Sequence, residues 1–282
     1  MVASSRKASP VPGAELDLAK MPGHWLLARM GKRVLRPGGI ELTREMLRAL
    51  DIGPEDHVVE LAPGLGATTR LTLDRQPASY TGIERDEAAA KNVKRLLTKP
   101  EYRCLTGSAA DIGLADRIAT AVYGEAMLTM QTATQKRAIV REAFRVLEPG
   151  GRYGIHELGL TPDETPDALK DEVKRDLSEA IRVGARPLTL SEWRDVLTAE
   201  GFKVEFESTA PMHLLEPRRL IQDEGPGGVA RILFNVLRTP TARRRVLAMR
   251  RVFHLHRDVL CAVTLVARKP RSPNREGSAA RD

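Results

Sequence analysis

A chain of 282 residues, 42% of them hydrophobic and 29% charged, can bury a full core and has the composition of a soluble globular protein. No window approaches the ~18 uninterrupted apolar residues that a membrane-spanning helix needs, and the first residues lack the apolar segment of a secretory signal. A formal charge of +8 leaves nucleic acid and anionic membrane open as partners.

Strand-like and helical segments alternate through the middle of the chain. Apolar runs rich in Val, Ile and Tyr predict strands at 57–62, 79–84, 102–107, 120–125 and 151–158. Helical patterns lie between these strands: one begins directly after Gly66, and the others cover 86–97, 111–119 and 134–147. This alternation predicts βαβ units, and therefore an α/β fold with a mostly parallel sheet and helices on both faces.

Further elements are predicted on either side of this core. Helices are expected within 14–34 and 41–50, and another after the capping box of Thr189 and Glu192. Strands at 202–210 and 260–267 would complete a seven-stranded sheet. We expect one domain over 14–268, made of an N-terminal helical cap (14–50), a core (51–212), a basic helical lid insert (213–257) and a last strand (258–268), between a disordered leader (1–13) and a disordered tail (269–282).

The two cysteines, Cys104 and Cys261, each lie inside an apolar run. This placement favours buried thiols over a disulfide or a zinc site. Together with the absence of a signal segment, it favours a cytoplasmic protein. No metal site is expected.

The stretch VVELAPGLGATTR, residues 58–70, joins the first predicted strand to a helix through a glycine-rich turn. Gly64 and Gly66 allow a sharp turn close to a ligand, and the following helix presents free N–H groups. A dinucleotide fingerprint requires a third glycine where Thr69 stands. Glu60, just before the turn, suits a ligand that carries an ammonium group better than it suits a pyrophosphate.

This stretch resembles motif I of the class I S-adenosylmethionine (SAM)-dependent methyltransferases, an acid followed by x-G-x-G-x-G. Glu60, Gly64 and Gly66 match it, and Ala62 stands at the first glycine. The segment REAFRVLEPGGRYGI, residues 141–155, is similar to the helix and turn before strand five of the small-molecule members. The resemblance spans 58–155 and implies a Rossmann-like fold, SAM as the cofactor and methyl transfer as the activity.

Other residues gain cofactor-binding roles through the same resemblance. Glu84, followed by Arg85, corresponds to the acid that binds the ribose hydroxyls, although it could also be a solvated residue. The loop GSAADIGL, 107–114, resembles the adenine loop, with Ser108 and Ala109 at its start. Ser108 replaces the usual Asp, so Asp111 or backbone carbonyls could meet the adenine; Asp111 is equally suited to cap a helix.

Candidate catalytic groups follow the fourth and fifth predicted strands. Glu125 occupies the position that would face the transferred methyl group, and His156 could act as a general base. The alternatives are that His156 packs inside the sheet and that Glu157 binds a helix terminus or the substrate. Ahead of the core, Trp25 and Leu26 could line the substrate cavity, and Arg33 or Arg36 could meet the methionine carboxylate.

The predicted insert 213–257 contains ten arginines and three acidic residues. Two helices are expected, the first with an inward stripe that includes Leu233 and Leu237, the second with Val246, Met249 and Phe253 inward. Phe234 is also expected to face inward, so the insert lacks the exposed aromatics of single-stranded RNA readers. A solvated lid, peripheral contact with an anionic membrane and RNA docking all stay open, with nucleic acid not favoured.

These observations predict a SAM-dependent methyltransferase for a small, apolar or amphiphilic acceptor whose O, N, S or C atom is unresolved. An RNA methyltransferase that docks through the insert is the first alternative. A SAM-binding regulatory module without turnover is the second. The oligomeric state is not predictable from the sequence.

Overall fold

The computed structural model describes residues 13, 15–33, 36–212 and 217–271, without the side chains of 217–219, 222 and 223. Eight strands in this part of the chain form one sheet. They are β1 (His57–Leu61), β2 (Ser79–Glu84), β3 (Tyr102–Thr106), β4 (Ala119–Glu125), β5 (Leu147–Leu160), β6 (Leu188–Thr189), β7 (Lys203–Pro211) and β8 (Leu260–Arg268). The leader 1–12, most of the tail (272–282) and the start of the insert (213–216) lie outside the described residues.

The strand order is β3-β2-β1-β4-β5-β8-β7, and the two-residue β6 pairs with the end of β5. The first five strands are mutually parallel, whereas β8 runs antiparallel to both β5 and β7. The predicted Rossmann-like α/β fold is therefore confirmed, with one short strand beyond the seven expected. Because the strand order reverses between β1 and β4, ligands are expected at the carboxyl ends of these strands.

Nine α-helices occur in the described residues: α1 (Gly23–Arg29), α2 (Gly39–Ala49), α3 (Ala67–Leu73), α4 (Glu87–Lys94), α5 (Ala133–Val146), α6 (Asp167–Ile181), α7 (Leu190–Thr198), α8 (Pro217–Arg238) and α9 (Pro240–Leu255). The helix expected within 14–34 covers only Gly23–Arg29. The helix expected at 111–119 is wrong: this segment is irregular, and Gly113 and Arg117 adopt left-handed conformations.

Apolar side chains pack on both faces of the sheet. On one face, Val59 and Ile155 pack with α5 and α7 through residues such as Val140 and Trp193. On the other face, α2 and α4 cover the sheet through residues such as Leu47 and Val93. The layers fix the positions of the strand ends, where polar residues collect.

The helices of the insert pack mainly beside α1 and α6, and α9 also packs near the ends of β5 and β8. Met249 of α9 is buried against Leu26 of α1, and Val252 and Phe253 pack near α6. The helix α8 is broken at Gly225, whose φ of 70° and ψ of 167° are not helical, immediately before Pro226. None of the helices in the described residues is both long and apolar enough to cross a membrane.

The structure corrects the expected orientation of the first insert helix. Leu233, Leu237 and Phe234 were expected to face inward, but they are 53%, 63% and 57% exposed. Only Ile232 of this apolar group is buried, and Val236 is partly buried. The expected inward side chains of the second helix, including Met249 and Phe253, do face the protein.

Candidate active site

The glycine-rich loop joins the carboxyl end of β1 to the amino end of α3. Gly64 and Gly66 have left-handed backbones, with φ of 57° and 73°, as does Ala62 with φ of 54°. A Cβ atom on Gly64 would lie no closer than 3.9 Å to the nearest atom, whereas one on Gly66 would lie 2.5 Å from Leu96 Cδ1. Gly64 therefore borders open space, while Gly66 permits the close packing of α3 against the end of α4.

Glu84 ends β2 next to this loop. Its carboxylate accepts hydrogen bonds from the backbone N–H groups of Gly64 at 2.8 Å and Asp86 at 3.0 Å. Burial raises the pKa of Glu84, although these backbone N–H groups oppose the rise. The side chain is thus held beside Gly64 at the edge of the sheet. Arg85, the next residue, is exposed.

Glu60 lies beneath the loop rather than at its surface. Its carboxylate accepts hydrogen bonds from the Thr69 hydroxyl at 2.7 Å and from the Tyr80 hydroxyl. Burial raises the pKa of Glu60 to about 7 in spite of these hydrogen bonds. The arrangement ties the first turn of α3 to the sheet and thereby fixes the loop.

The loop after β3 reaches the same edge of the sheet. Gly107 donates its backbone N–H to the Glu84 carbonyl at 3.0 Å. Beyond it, the Ser108 hydroxyl accepts the Ala110 N–H at 3.2 Å, and Asp111 donates its N–H to the Ser108 carbonyl at 3.1 Å. Ser108 and Asp111 are exposed and Ala109 is half-buried, so the predicted adenine loop stands next to Glu84.

Glu125 ends β4, and its neighbour on the parallel strand β5 is His156, four residues before β5 ends. Glu125 Oε1 and His156 Nδ1 lie 2.7 Å apart. Arg36 Nη1 donates to Glu125 Oε2 at 2.8 Å, and the Thr43 hydroxyl donates to Oε1 at 2.5 Å. The Thr68 hydroxyl also donates to Glu125. Burial alone would raise the pKa of Glu125, but Arg36, His156 and Thr43 together lower it well below its usual value.

This buried network leaves polar nitrogens without partners. Arg36 Nε and Nη2 and His156 Nε2 are buried and have no hydrogen-bond partner within the part of the chain that the structure describes. Buried polar atoms of this kind are costly unless a ligand or water satisfies them. Arg33, the other predicted carboxylate partner, instead is 66% exposed and pairs with Glu224 at 3.7 Å.

Glu157, unlike the adjacent His156, binds backbone N–H groups. Its carboxylate accepts backbone N–H groups from Met127, Leu128 and Thr129 at 2.7 to 3.0 Å, and also the Thr129 hydroxyl. These bonds cap the short 3-10 turn that follows β4. Glu157 therefore binds a helix terminus, one of the two alternatives for this residue, and fixes the chain directly after Glu125.

A cavity of about 110 Å³ lies beside that turn, next to Ala126. Its walls are mainly apolar and come from α1, α6, α9 and the strand ends; they are Gly23, His24, Leu27, Pro37, Ala126, Thr129, Met130, Leu158, Ile181, Met249 and Phe253. Trp25 and Leu26 were expected to line the substrate cavity, but Leu26 is fully buried in the helix packing and Trp25 packs against His24. The α1 residues in the wall are Gly23, His24 and Leu27 instead.

His24 is the polar residue that the sequence did not reveal. Burial, assisted by Arg85, lowers the pKa of His24 to about 4, so the imidazole is neutral near pH 7. No motif marks His24, Thr43 or Thr68, because their partners lie far away in sequence.

Comparison with known proteins agrees with this geometry. A family model described as a methyltransferase domain matches residues 59–155. An uncharacterized protein of Haemophilus influenzae is 31% identical over 221 residues, which are 77% of this chain and 86% of that protein. The ribosomal RNA small subunit methyltransferase A of Corynebacterium efficiens is 36% identical over 147 residues, 51% of this chain and 44% of that enzyme.

Solved structures share the fold. Phosphoethanolamine N-methyltransferase 2 of Haemonchus contortus, solved in complex with SAM, superposes with a TM-score of 0.66 at 13% identity, over 88% of this chain and 57% of that one. The sheet order, the glycine loop beside Glu84 and the matched domain define a class I SAM-dependent methyltransferase. The chain belongs to that family, and its cofactor is SAM.

Proposed function

We propose that this enzyme transfers the methyl group of SAM to a small, apolar or amphiphilic acceptor that binds in the cavity beside Ala126. The observation that carries the proposal is the apolar wall of that cavity, directly after Glu125 at the end of β4. A cavity of about 110 Å³ with His24 and Thr129 as its polar side chains suits an apolar body with one polar group.

The residues at the sheet edge fit SAM. The open space at Gly64 and the two unpartnered nitrogens of Arg36 support a site for the methionine part, with the guanidinium on its carboxylate. We assign Glu84 to the ribose hydroxyls, and the loop of Ser108, Ala109 and Asp111 to the adenine. Glu60 supports the site from below through Thr69, and Arg85 borders it.

The bound cofactor supplies an electrophilic methyl group on a sulfonium, and transfer requires an in-line approach of the acceptor atom. The apolar walls exclude water and restrict the acceptor to one orientation. His24, neutral near pH 7, can hydrogen-bond the polar group of the acceptor without placing a second positive charge beside the sulfonium. This arrangement favours transfer through positioning and desolvation.

Glu125 and His156 stay predictions as catalytic groups. Because His156 is fully buried and Glu125 is held by Arg36, Thr43 and Thr68, the geometry favours an indirect role in which they orient Arg36. Cytoplasmic location also stays a prediction.

The experiment is to incubate the protein with methyl-labelled SAM and a host extract, then separate RNA, lipid-soluble and water-soluble small-molecule fractions. Label in a small-molecule or lipid-soluble fraction is expected. Label confined to RNA would support the alternative of an RNA methyltransferase, and SAM binding without label anywhere would support the regulatory module. A Gly64→Ala variant, which fills the loop, serves as the control for enzyme-dependent labelling.

A further inference from the structure

The outer faces of the insert helices concentrate the positive charge of the chain. Residues 226–257, the hairpin, contain eight arginines and no Asp or Glu. Arg245 turns inward and donates to the Leu18 and Met21 carbonyls. The other seven are exposed: Arg231, Arg238, Arg243, Arg244, Arg250, Arg251 and Arg257.

Large apolar side chains are exposed among these arginines. Leu233, Phe234 and Leu237 have the spacing of one helical face. Leu247 and Leu255 of α9 are 55% and 65% exposed. The opposite faces are the ones that pack against the protein, through Ile232, Ala242 and Met249. Both helices therefore turn a mixed cationic and apolar surface away from the protein, an arrangement that marks interaction sites.

We propose that this outer surface docks on a lipid bilayer that contains anionic headgroups. Guanidinium groups pair with lipid phosphates, and the leucines and Phe234 enter the boundary between headgroups and acyl chains. RNA is held by charge and by stacking on aromatic rings, so it would satisfy the arginines and the single exposed ring of Phe234. It offers little to the four exposed leucines. The chemistry of the whole surface, rather than its charge alone, selects the bilayer.

Helix α9 connects this outer surface to the candidate acceptor cavity. Met249 and Phe253, on the inner face of α9, line the cavity beside Ala126. Docking would therefore hold the cavity wall at the membrane surface, where an apolar acceptor is concentrated. The proposal goes beyond the proposed methyl transfer and does not depend on it, because docking can be measured without SAM.

The experiment is cosedimentation of the full chain with vesicles of phosphatidylcholine alone or of an equimolar mixture with phosphatidylglycerol. We expect binding to the mixed vesicles and little to the neutral ones. Raising the salt from about 0.1 M to about 1 M shortens the Debye length from about 10 Å to about 3 Å and should release the protein. Equal binding to both kinds of vesicle, or to neither, would contradict the proposal.

Two variants separate the charged and apolar contributions. R243Q/R244Q/R250Q/R251Q should lower the partition coefficient about a thousandfold. L233S/F234S/L237S should lower it at least about tenfold. The matched control is R70Q/R95Q/R117Q/R137Q, which removes as many exposed arginines from other parts of the chain and should bind as the native protein does.

Circular dichroism of each variant shows whether it is folded, and the salt titration of the native protein decides the matter if a variant is not. Unchanged binding of both folded hairpin variants would overturn the proposal. So would a native chain that ignores vesicles but binds single-stranded polyuridylate through the hairpin arginines, which would assign the surface to RNA.

Discussion

Glu60 shows how one buried carboxyl group links the loop to the pH dependence of stability. In the fold its pKa is raised from 4.5 to about 7, first by burial. As the pH rises through this window, an unfolded chain releases a proton that the folded chain still holds. The free energy of unfolding therefore falls from about pH 4.5 to about pH 7, and the loss is complete above the folded pKa.

Replacing Glu60 by Gln keeps an acceptor for Thr69 and Tyr80 and removes the titration. Between about pH 5 and about pH 8, the native protein should lose about 2 kcal/mol of stability relative to Glu60→Gln. Urea denaturation of both proteins at the two pH values measures this difference. Glu101→Gln, at an exposed position, is the control and should follow the native protein. Parallel curves for native protein and Glu60→Gln would disprove the raised pKa.

The two glycines of the loop should respond differently to the same substitution. Gly66→Ala places a methyl group against Leu96 in a left-handed backbone, and should lower the free energy of unfolding by about 2–4 kcal/mol. Gly64→Ala has the backbone strain without the clash, about 1–2 kcal/mol, but its methyl group enters the proposed cofactor space. Calorimetric titration with SAM should therefore show a larger loss of affinity per unit of lost stability for Gly64→Ala. Equal ratios would place the cofactor elsewhere.

Among the helices, α7 tests how much a local sequence signal contributes. The Thr189 hydroxyl accepts the Glu192 N–H, and the Glu192 carboxylate accepts the Thr189 N–H, as the capping box predicts. Thr189→Ala should lower the free energy of unfolding by about 1–2 kcal/mol, measured by urea denaturation. Thr198→Ala, at the exposed end of the same helix, should change it by less than about 0.5 kcal/mol. An equally large effect at Thr198 would mean that the cap adds nothing specific.

Elements with local signals were predictable, and those set by long-range packing were not. The strands and the capping box follow from short patterns, as does the loop at Gly64. The inward orientation expected for Phe234 and Leu237 was wrong because α8 is apolar around most of its circumference after Gly225. Helical spacing alone therefore does not show which face of α8 packs against the protein. The expected helix at 111–119 failed because Gly113 and Arg117 require left-handed backbones that the pattern did not reveal.

Across the whole molecule, the candidate site depends on contacts that no local pattern contains. Arg36 and Glu125 are 89 residues apart in sequence, and Thr43 and His156 are separated by 113. The fold brings them together because α2, which follows Arg36 and carries Thr43, packs on β5 beside Glu125 at the end of β4. Glu125 was predicted from its place at a strand end, but its partners Arg36, Thr43 and Thr68 could not be predicted. These partners determine that the Glu125 carboxylate binds Arg36.

A site with buried, unpartnered donors should gain stability when its ligand binds. SAM at about a hundred times its Kd should raise the free energy of unfolding by about 2.7 kcal/mol, and NAD should not. Glu84→Gln retains an acceptor for Gly64 but weakens the proposed contact with the ribose. At the same SAM concentration its stabilisation should therefore be smaller by about 1–2 kcal/mol.

Thermal melting with and without SAM or NAD measures the stabilisation by each ligand. Glu101→Gln, which removes a carboxylate from an exposed position, is again the control. If SAM stabilised Glu84→Gln as much as the native protein, the proposed contact between Glu84 and the ribose would be wrong. Because ligand binding and folding share one equilibrium, the shift reports on the site without requiring the acceptor. The same measurement on Arg36→Met gives two separate quantities. The melting temperature without SAM should fall, because loss of Arg36 leaves Glu125 buried without its cation. The shift on adding SAM reports the contribution of Arg36 to the cofactor site.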